Sequence, residues 1–124
     1  MLGYTSDVTK MARENTDFRH VLYTGKYSQL VLMTLQPSEE IGMEVHPTVD
    51  QFFHVVDGTA TVIMDGETSL LSPGMVAIVP AGTNHNVINA SATDPLKLYT
   101  IYSPANHPDG TIKRTKAEAE GAEK

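Results

Sequence analysis

The sequence predicts an all-β domain built as an antiparallel sandwich or barrel of short strands. Apolar segments rich in Val, Ile, Leu and Thr alternate with turn sequences rich in Gly, Pro and Asp. These turns recur about every 8–12 residues, the spacing typical of sandwiches and barrels. Helical patterns are confined to the two ends of the chain, which argues against an α/β fold.

Well-defined turns separate the strand-like segments. Asp65-Gly66 predicts a hairpin, because glycine adopts the positive φ that such turns require. The predicted strands are residues 27–36, 42–46, 51–56, 59–64, 68–71, 75–79, 85–89 and 96–102.

The two ends of the chain differ from this pattern. Residues 5–16 predict a short helix that Ser6 would cap. Its apolar side would consist of Val8, Met11 and Ala12. From Ile112 onward the chain is rich in Lys, Glu and Ala, which predicts a frayed helix or disorder. We therefore expect an N-terminal flank, a barrel and a C-terminal tail, with bounds 1–16, 17–107 and 108–124.

Composition indicates one globular domain and excludes several functions. The 124 residues are 40% apolar and 19% charged, which suits a single packed core. The net charge of −6 argues against nucleic-acid binding, because phosphate contacts need clustered Lys and Arg. The absence of cysteine excludes disulfides, thiol nucleophiles and zinc–thiolate sites. No apolar run spans a membrane and the N-terminus does not resemble a signal peptide, so we expect a cytoplasmic protein.

Candidate chemistry centres on histidine and carboxylate, since the chain has no thiol. Glu44 and His46 lie two residues apart in a short predicted strand, so both side chains point to one face. His85 begins another strand just after a Pro-x-Gly turn, and Gln51 begins the strand that follows His46. A carboxylate and an imidazole on one face supply half of a metal site.

The spacing of these residues resembles that of the cupin family. The second cupin motif, G-x5-P-x-G-x2-H-x3-N, is matched at every position by Gly74, Pro80, Gly82, His85 and Asn89. The resemblance implies a small single-domain jelly-roll barrel, similar to the mannose-6-phosphate-isomerase-like cupins. We expect Asn89 to fix a loop in such a barrel.

The first cupin motif, G-x5-H-x-H-x(3,4)-E-x6-G, is altered. Glu44 stands at the first His position, His46 at the second, Gln51 at the Glu position and Gly58 at the last Gly; the opening Gly is missing. The resemblance implies one divalent metal ion, Mn, Fe, Co, Ni or Zn, bound by Glu44, His46, Gln51 and His85. Gln51 either ligates this metal directly, or hydrogen-bonds a metal-bound water, or orients His46.

The barrel interior would supply the substrate pocket. Phe53 and Val55 alternate with Gln51 and should line it. Further candidates for the wall are Met33, Tyr99, Ile101 and Tyr102. His54 has the opposite parity to Gln51, so we expect it on the outer face.

Three functions are consistent with these residues. The first is a metal-dependent isomerase or related enzyme acting on a sugar or sugar acid, with Glu44 as the base if it is not a ligand. Type I mannose-6-phosphate isomerases are similar in using a Gln, a Glu and two His, and a Gln at the Glu position resembles cupins that act on unsaturated uronates. The second is an Fe- or Mn-dependent dioxygenase, because two His and one carboxylate resemble a facial triad. The third is a non-catalytic barrel that binds a small molecule.

The expected partners are a small-molecule substrate and a second copy of the chain, with neither nucleic acid nor membrane. The resemblance implies a homodimer, and residues 17–35 are the candidate contact. Lys97 and Arg19 are expected to be solvated surface cations, the alternative being contact with an anionic substrate.

Overall fold

The computed structural model describes residues 3–122, so two residues of each predicted flank lie outside the described range. Within it are two helices, α1 (Val8–Glu14) and α2 (Lys116–Ala122). The strands are β1 (Arg19–Thr24), β2 (Gln29–Leu35), β3 (Asp50–Asp57), β4 (Ala60–Met64), β5 (Glu67–Leu71), β6 (Val76–Val79), β7 (His85–Asn89), β8 (Leu96–Ser103) and β9 (Ile112–Lys113).

The strands form two antiparallel sheets. The larger sheet has the order β6-β3-β8-β2-β1-β9 and the smaller one the order β5-β4-β7. The predicted antiparallel all-β fold with a short N-terminal helix is confirmed and is consistent with a jelly roll; of the two alternatives for the C-terminal tail, a frayed helix or disorder, the structure has a short helix. Over residues 3–122, however, the two sheets do not close into one barrel. Neither helix in this range is long and apolar enough to cross a membrane.

Three segments differ from the sequence prediction. Residues 42–46 form no continuous strand; Glu44 makes only an isolated bridge with His85, and Glu40, just before the segment, makes another with Ile88. Gly42, at a φ of 108°, interrupts the extended backbone there. The strands β1 and β9 were not predicted. Polar residues are mixed into β1, and β9 has only two residues, so neither shows a clear alternation.

β1 is fully integrated into the larger sheet. It pairs with β2 on one side and with β9 on the other. Most of residues 17–35, the expected dimer contact, is therefore used for pairing within the chain. The homodimer stays a prediction, and exchange of this segment would first have to break these pairs.

The main core lies between the sheets. It includes Met33, Phe53 and Val55 from the larger sheet and Val62 and Val87 from the smaller one. A smaller cluster lies on the outer face of the larger sheet. There α1 packs Ala12, which is fully buried, against Leu32 and Val56.

The N-cap of α1 is Asp7 and not the predicted Ser6. The side chain of Asp7 accepts a hydrogen bond from the backbone N–H of Lys10. Both residue types cap helices well, so the sequence alone does not decide between neighbours.

Asn89 fixes a loop, as expected from its place in the second motif. Its buried side-chain amide donates to the carbonyl oxygens of Leu35, Gln36 and Asp94, at 3.2, 3.1 and 2.8 Å. Its Oδ1 accepts from the backbone N–H of Ser91 at 2.9 Å. One side chain thus ties the end of β2 to the turn that connects β7 and β8.

Gly58 is required at its turn for two reasons, and this gives the first prediction. Its φ is +89°, and a Cβ atom there would lie 2.8 Å from the carbonyl oxygen of Pro95. Gly66 has a similar φ of +85° with open space around it. We expect Gly58→Ala to lower the free energy of unfolding by about 3 kcal/mol and Gly66→Ala by about 1–2 kcal/mol. Urea unfolding measures both; equal losses would show that the contact with Pro95 is relieved without cost.

Candidate metal and substrate site

Two reciprocal backbone hydrogen bonds bring the two motifs together. The N–H of Glu44 donates to the carbonyl of His85 at 2.8 Å, and the N–H of His85 donates to the carbonyl of Glu44 at 2.9 Å. Residues paired in this way have their side chains next to each other on one side of the sheet. Glu44 and His85 are therefore neighbours although they are far apart in the sequence.

The side chains of Glu44 and His46 also meet. Oε2 of Glu44 lies 3.0 Å from Nε2 of His46. This buried nitrogen nevertheless has no partner with hydrogen-bond geometry among residues 3–122. The His46 ring lies 5.3 Å from the His85 ring, centroid to centroid. Glu44 and both imidazoles thus form one cluster.

His85 is held in a defined tautomer. It is 4% exposed, and its Nδ1 lies 2.9 Å from the carbonyl oxygen of Thr83. A carbonyl oxygen only accepts, so Nδ1 carries the proton and donates it. The lone pair is then on Nε2, which is the arrangement that histidine metal ligands commonly have.

Gln51 contributes a buried amide oxygen as a further candidate ligand. It is 3% exposed, and its Nε2 donates to Oγ1 of Thr100 at 3.0 Å. Its Oε1 is buried and has no hydrogen-bond partner in the described part of the chain. The hydrogen bond to Thr100 fixes the amide so that the oxygen is the atom left to accept or to ligate.

The electrostatics favour an ionised Glu44. Burial by itself would raise the pKa of Glu44, but the contact with His46 and the neighbouring Arg19 and His85 outweigh it, so the pKa lies below its usual value. An ionised carboxylate is the form that binds a cation.

The donor chemistry fits a divalent metal, although the side chains do not close around one point. No group of three or more His, Cys, Asp or Glu at metal-binding distances occurs among the described residues. The fit rests instead on two buried atoms without hydrogen-bond geometry, Oε1 of Gln51 and Nε2 of His46, the second of which lies against the Glu44 carboxylate. Burying such atoms without a partner is unfavourable, and a bound cation would satisfy both.

The predicted pocket wall is divided between two faces. Phe53 and Tyr102 lie next to the cluster, with ring centroids 6.4 Å from His85 and 5.9 Å from His46, respectively. Met33 and Val55 are buried in the main core. Tyr99 lies apart from the site, against our expectation, because its hydroxyl bonds to Nδ1 of His54 at 2.8 Å on the outer face.

Two further residues, Arg19 and His107, lie at the mouth of the site. A cavity of about 380 Å³ is lined by Arg19 and His107 together with Glu44 and His46. Arg19 is only 6% exposed, so the expectation of a solvated surface cation was wrong. Its side chain is buried on the same side of β1 as that of Val21, and β1 itself was not predicted. No local pattern marks His107, which the fold brings in from the segment after β8.

His107 is anchored to the site from two directions. Gln29, which is buried, donates to the carbonyl of His107 at 2.7 Å and accepts from its backbone N–H at 3.0 Å. The ring nitrogen Nε2 lies 3.2 Å from the hydroxyl of Tyr102. Burial, which acts most strongly, and the positive charge of Arg19 lower the pKa of His107 to about 4.

Comparison with known proteins identifies the relatives of the chain. A family model described as the Cupin domain matches residues 31–102. The uncharacterized protein YrkC of Bacillus subtilis is 44% identical over 97% of this chain and 67% of its own length. A crystal structure from Bacillus halodurans superposes with a TM-score of 0.93 and 38% identity, covering 95% of this chain and 93% of that one.

Two further relatives with named activities match over shorter stretches. The quercetin 2,3-dioxygenase of Bacillus subtilis is 31% identical over 68% of this chain, which is 25% of the relative. A putative mannose-1-phosphate guanylyltransferase of Vibrio cholerae is 30% identical over 57% of this chain and 15% of the relative.

The lowered pKa of His107 gives the second prediction. The folded protein favours the neutral form of the His107 ring. The contribution of this ring to the free energy of unfolding is therefore complete above the unfolded pKa of 6.5 and is lost as the pH falls toward about 4. We expect the free energy of unfolding to fall between pH 7 and pH 5 by about 1 kcal/mol more in the wild type than in His107→Gln, both measured with chelator present. This figure allows for the partial exposure of the ring. Urea unfolding at both pH values measures this difference. Parallel pH dependence in the two proteins would contradict it.

Proposed function

The chain belongs to the cupin family, and on this premise we propose that it binds one divalent transition metal ion and uses it on a small-molecule substrate. His46, His85 and Glu44 would be the ligands, with Oε1 of Gln51 as a neutral fourth donor. This set suits Mn, Fe, Co, Ni or Zn, because it combines imidazole, carboxylate and amide oxygen without a thiolate.

The observation that carries this proposal is the pair of buried atoms without hydrogen bonds. Oε1 of Gln51 is an acceptor, and Nε2 of His46 is one in the tautomer that carries its proton on Nδ1; both atoms are buried, and the carboxylate of Glu44 lies against Nε2. A buried polar atom left without a partner costs about 1–3 kcal/mol. One of the two, Nε2 of His46, lies 3.0 Å from the carboxylate of Glu44, and this supports a role in binding a cation.

For the reaction, we favour isomerisation of a sugar or sugar acid. A bound metal would supply Lewis acidity to a carbonyl or hydroxyl group. Glu44, which the site keeps ionised, could then accept a proton from the substrate if Gln51 takes its place as a ligand. Burial raises the pKa of Tyr102, so its hydroxyl stays protonated and can donate a hydrogen bond to a substrate oxygen. The named activity of the Vibrio cholerae relative also concerns a sugar phosphate.

A dioxygenase is the second candidate, and one observation favours it. The quercetin 2,3-dioxygenase of Bacillus subtilis matches more than half of this chain. Two imidazoles and one carboxylate leave coordination positions open, as oxygen-using iron enzymes require. The match covers only 25% of that enzyme, so we do not assign the substrate of that enzyme to this chain.

The third prediction tests metal binding. We expect the purified, tag-free protein, reconstituted with Mn, Fe, Co, Ni or Zn and then desalted, to retain about one equivalent of metal. His46→Ala and His85→Ala should each lower the affinity at least tenfold, because each removes a ligand. Elemental analysis and competition with a chelator measure this.

The matched control is His54→Ala. His54 lies on the outer face, where it bonds to Tyr99, so its removal should leave the metal content unchanged. Absence of bound metal in the wild type after reconstitution with every one of these ions would refute the proposal. Equal loss in all three histidine variants would point to nonspecific binding.

The fourth prediction separates the two reactions. We expect the metal-loaded protein to interconvert at least one member of a panel of hexose phosphates and uronates, and Glu44→Gln to slow this about 100-fold or more. Nuclear magnetic resonance detects the products. Oxygen consumption that depends on iron, with no isomerisation, would favour the dioxygenase. Inactivity in both assays would favour the third possibility, a non-catalytic binding protein.

A further inference from the structure

The segment between β8 and β9 is fixed at the mouth of the site by Gln29. Gln29, which is 1% exposed, accepts from the backbone N–H groups of Asn106 and His107 at 3.1 and 3.0 Å. Its Nε2 donates to the carbonyl of His107 at 2.7 Å and to Oγ1 of Thr24 at 2.9 Å. A buried amide whose oxygen and nitrogen both have partners holds its contacts firmly. The backbone of His107 therefore has a defined position.

The ring of His107 has one nitrogen engaged and one available. Nε2 lies 3.2 Å from the hydroxyl of Tyr102, and the two rings make an edge contact with their centroids 5.0 Å apart. Nδ1 has no hydrogen-bond partner within residues 3–122, and it is not among the fully buried atoms of that range. The contacts with Tyr102 fix the orientation of the ring, and Nδ1 is left accessible to a ligand.

The cavity at His107 is the one that contains the candidate metal ligands. His107 lines this open cavity of about 380 Å³ together with Glu44 and His46. The volume is within the range of small-molecule pockets, about 300–1,000 Å³. Arg19 and Glu120 also belong to the lining, so charges of both signs are present. Hydrogen bonding, not net charge, is therefore the property that His107 adds to the site.

An uncharged imidazole suits one kind of ligand group. Burial lowers the pKa of His107 to about 4, so the ring is neutral near pH 7. Each nitrogen of a neutral ring either donates or accepts a hydrogen bond, depending on the tautomer. A hydroxyl group does both and can pair with Nδ1 in either tautomer, whereas an ionised carboxylate only accepts. The available nitrogen of His107 thus matches a hydroxyl group best.

We propose that Nδ1 of His107 binds a hydroxyl group of the substrate, and that Gln29 positions His107 for this contact. The hydroxyl lies in the cavity of about 380 Å³ while another part of the same molecule faces Glu44 and His46. His107 thus selects molecules that carry a hydroxyl group. The identity of the substrate as a sugar or sugar acid rests on the proposed function, whereas the contact itself depends only on His107, its neighbours and the cavity.

Two substitutions separate contact with a ligand from contact with Tyr102. In His107→Asn the amide lies one bond beyond Cγ, as Nδ1 does, so it can still meet the ligand but does not reach Tyr102. In His107→Gln the amide lies farther out, near the position of Nε2, so it keeps the contact with Tyr102 and loses the ligand. A histidine that only packs against Tyr102 tolerates Gln better than Asn, whereas a histidine that binds the substrate gives the opposite order of affinities.

Calorimetry on the full chain measures these affinities. Galacturonate, glucuronate, glucose 6-phosphate and fructose 6-phosphate are each titrated into zinc-loaded protein and into chelator-treated protein. We expect at least one probe to bind the wild type and to bind His107→Gln about tenfold more weakly, which corresponds to the loss of one hydrogen bond. His107→Asn should keep most of the affinity. His20→Gln is the matched control, because His20 pairs with Asp17 outside this cavity and should bind like the wild type.

A second measurement does not depend on the variants. In wild-type protein with nitrogen-15 in its histidine rings, saturation with the bound probe should shift the magnetic resonance signal of Nδ1 in His107 and leave that of His20 unchanged. Circular dichroism and the melting temperature establish the folding of each variant. If neither His107 variant folds, the shift in the wild type decides the outcome.

Three results would overturn the inference. The first is that wild-type protein binds none of the probes in either metal state. The second is that His107→Gln binds the probe as tightly as His107→Asn, or more tightly. The third is an unshifted Nδ1 signal in protein saturated with probe. Metal content, measured on the same samples, separates these results from failure of the metal proposal. Retained zinc with any of them refutes only the role of His107; absence of zinc refutes the metal site, and the chelator-treated samples still decide the role of His107.

Discussion

The reciprocal hydrogen bonds between Glu44 and His85 are the constraint on which the site depends. They join a segment without regular strand pairing to the edge of the smaller sheet. Because paired backbones place side chains at a fixed separation, the carboxylate and the imidazole become neighbours. His46 then follows two residues after Glu44 and returns to the same side, where its ring approaches that of His85.

Around this bridge the core is apolar, and its buried polar side chains differ in whether all their polar atoms have hydrogen-bond partners. Asn89 and Gln29 use their hydrogen-bonding groups to fix loops and strand ends. Gln51 and His46, in contrast, each keep one buried atom without such a bond in the described residues. Buried polar groups are nearly always satisfied in folded proteins, so this contrast separates side chains that hold the fold from those that we assign to ligand binding.

The sequence predicted local features better than tertiary ones. The strands β3 to β8 and the proximity of Glu44 to His46 follow from alternation and turn chemistry, which are local. The burial of Arg19 and the position of His107 depend on pairing between distant segments, which no local pattern encodes. The same reason explains Tyr99: which face of β8 lines the interior is set by its register with β3, including a bulge.

The central claim is that Glu44, His46, Gln51 and His85 surround one metal ion. Anomalous diffraction from crystals of the metal-loaded protein, recorded at the absorption edge of that metal, tests it most directly. We expect one strong peak about 2.0–2.3 Å from Nε2 of both His46 and His85 and from a Glu44 oxygen, with Oε1 of Gln51 at or near ligating distance. A peak elsewhere, or none at this cluster in protein shown to contain metal, would contradict it.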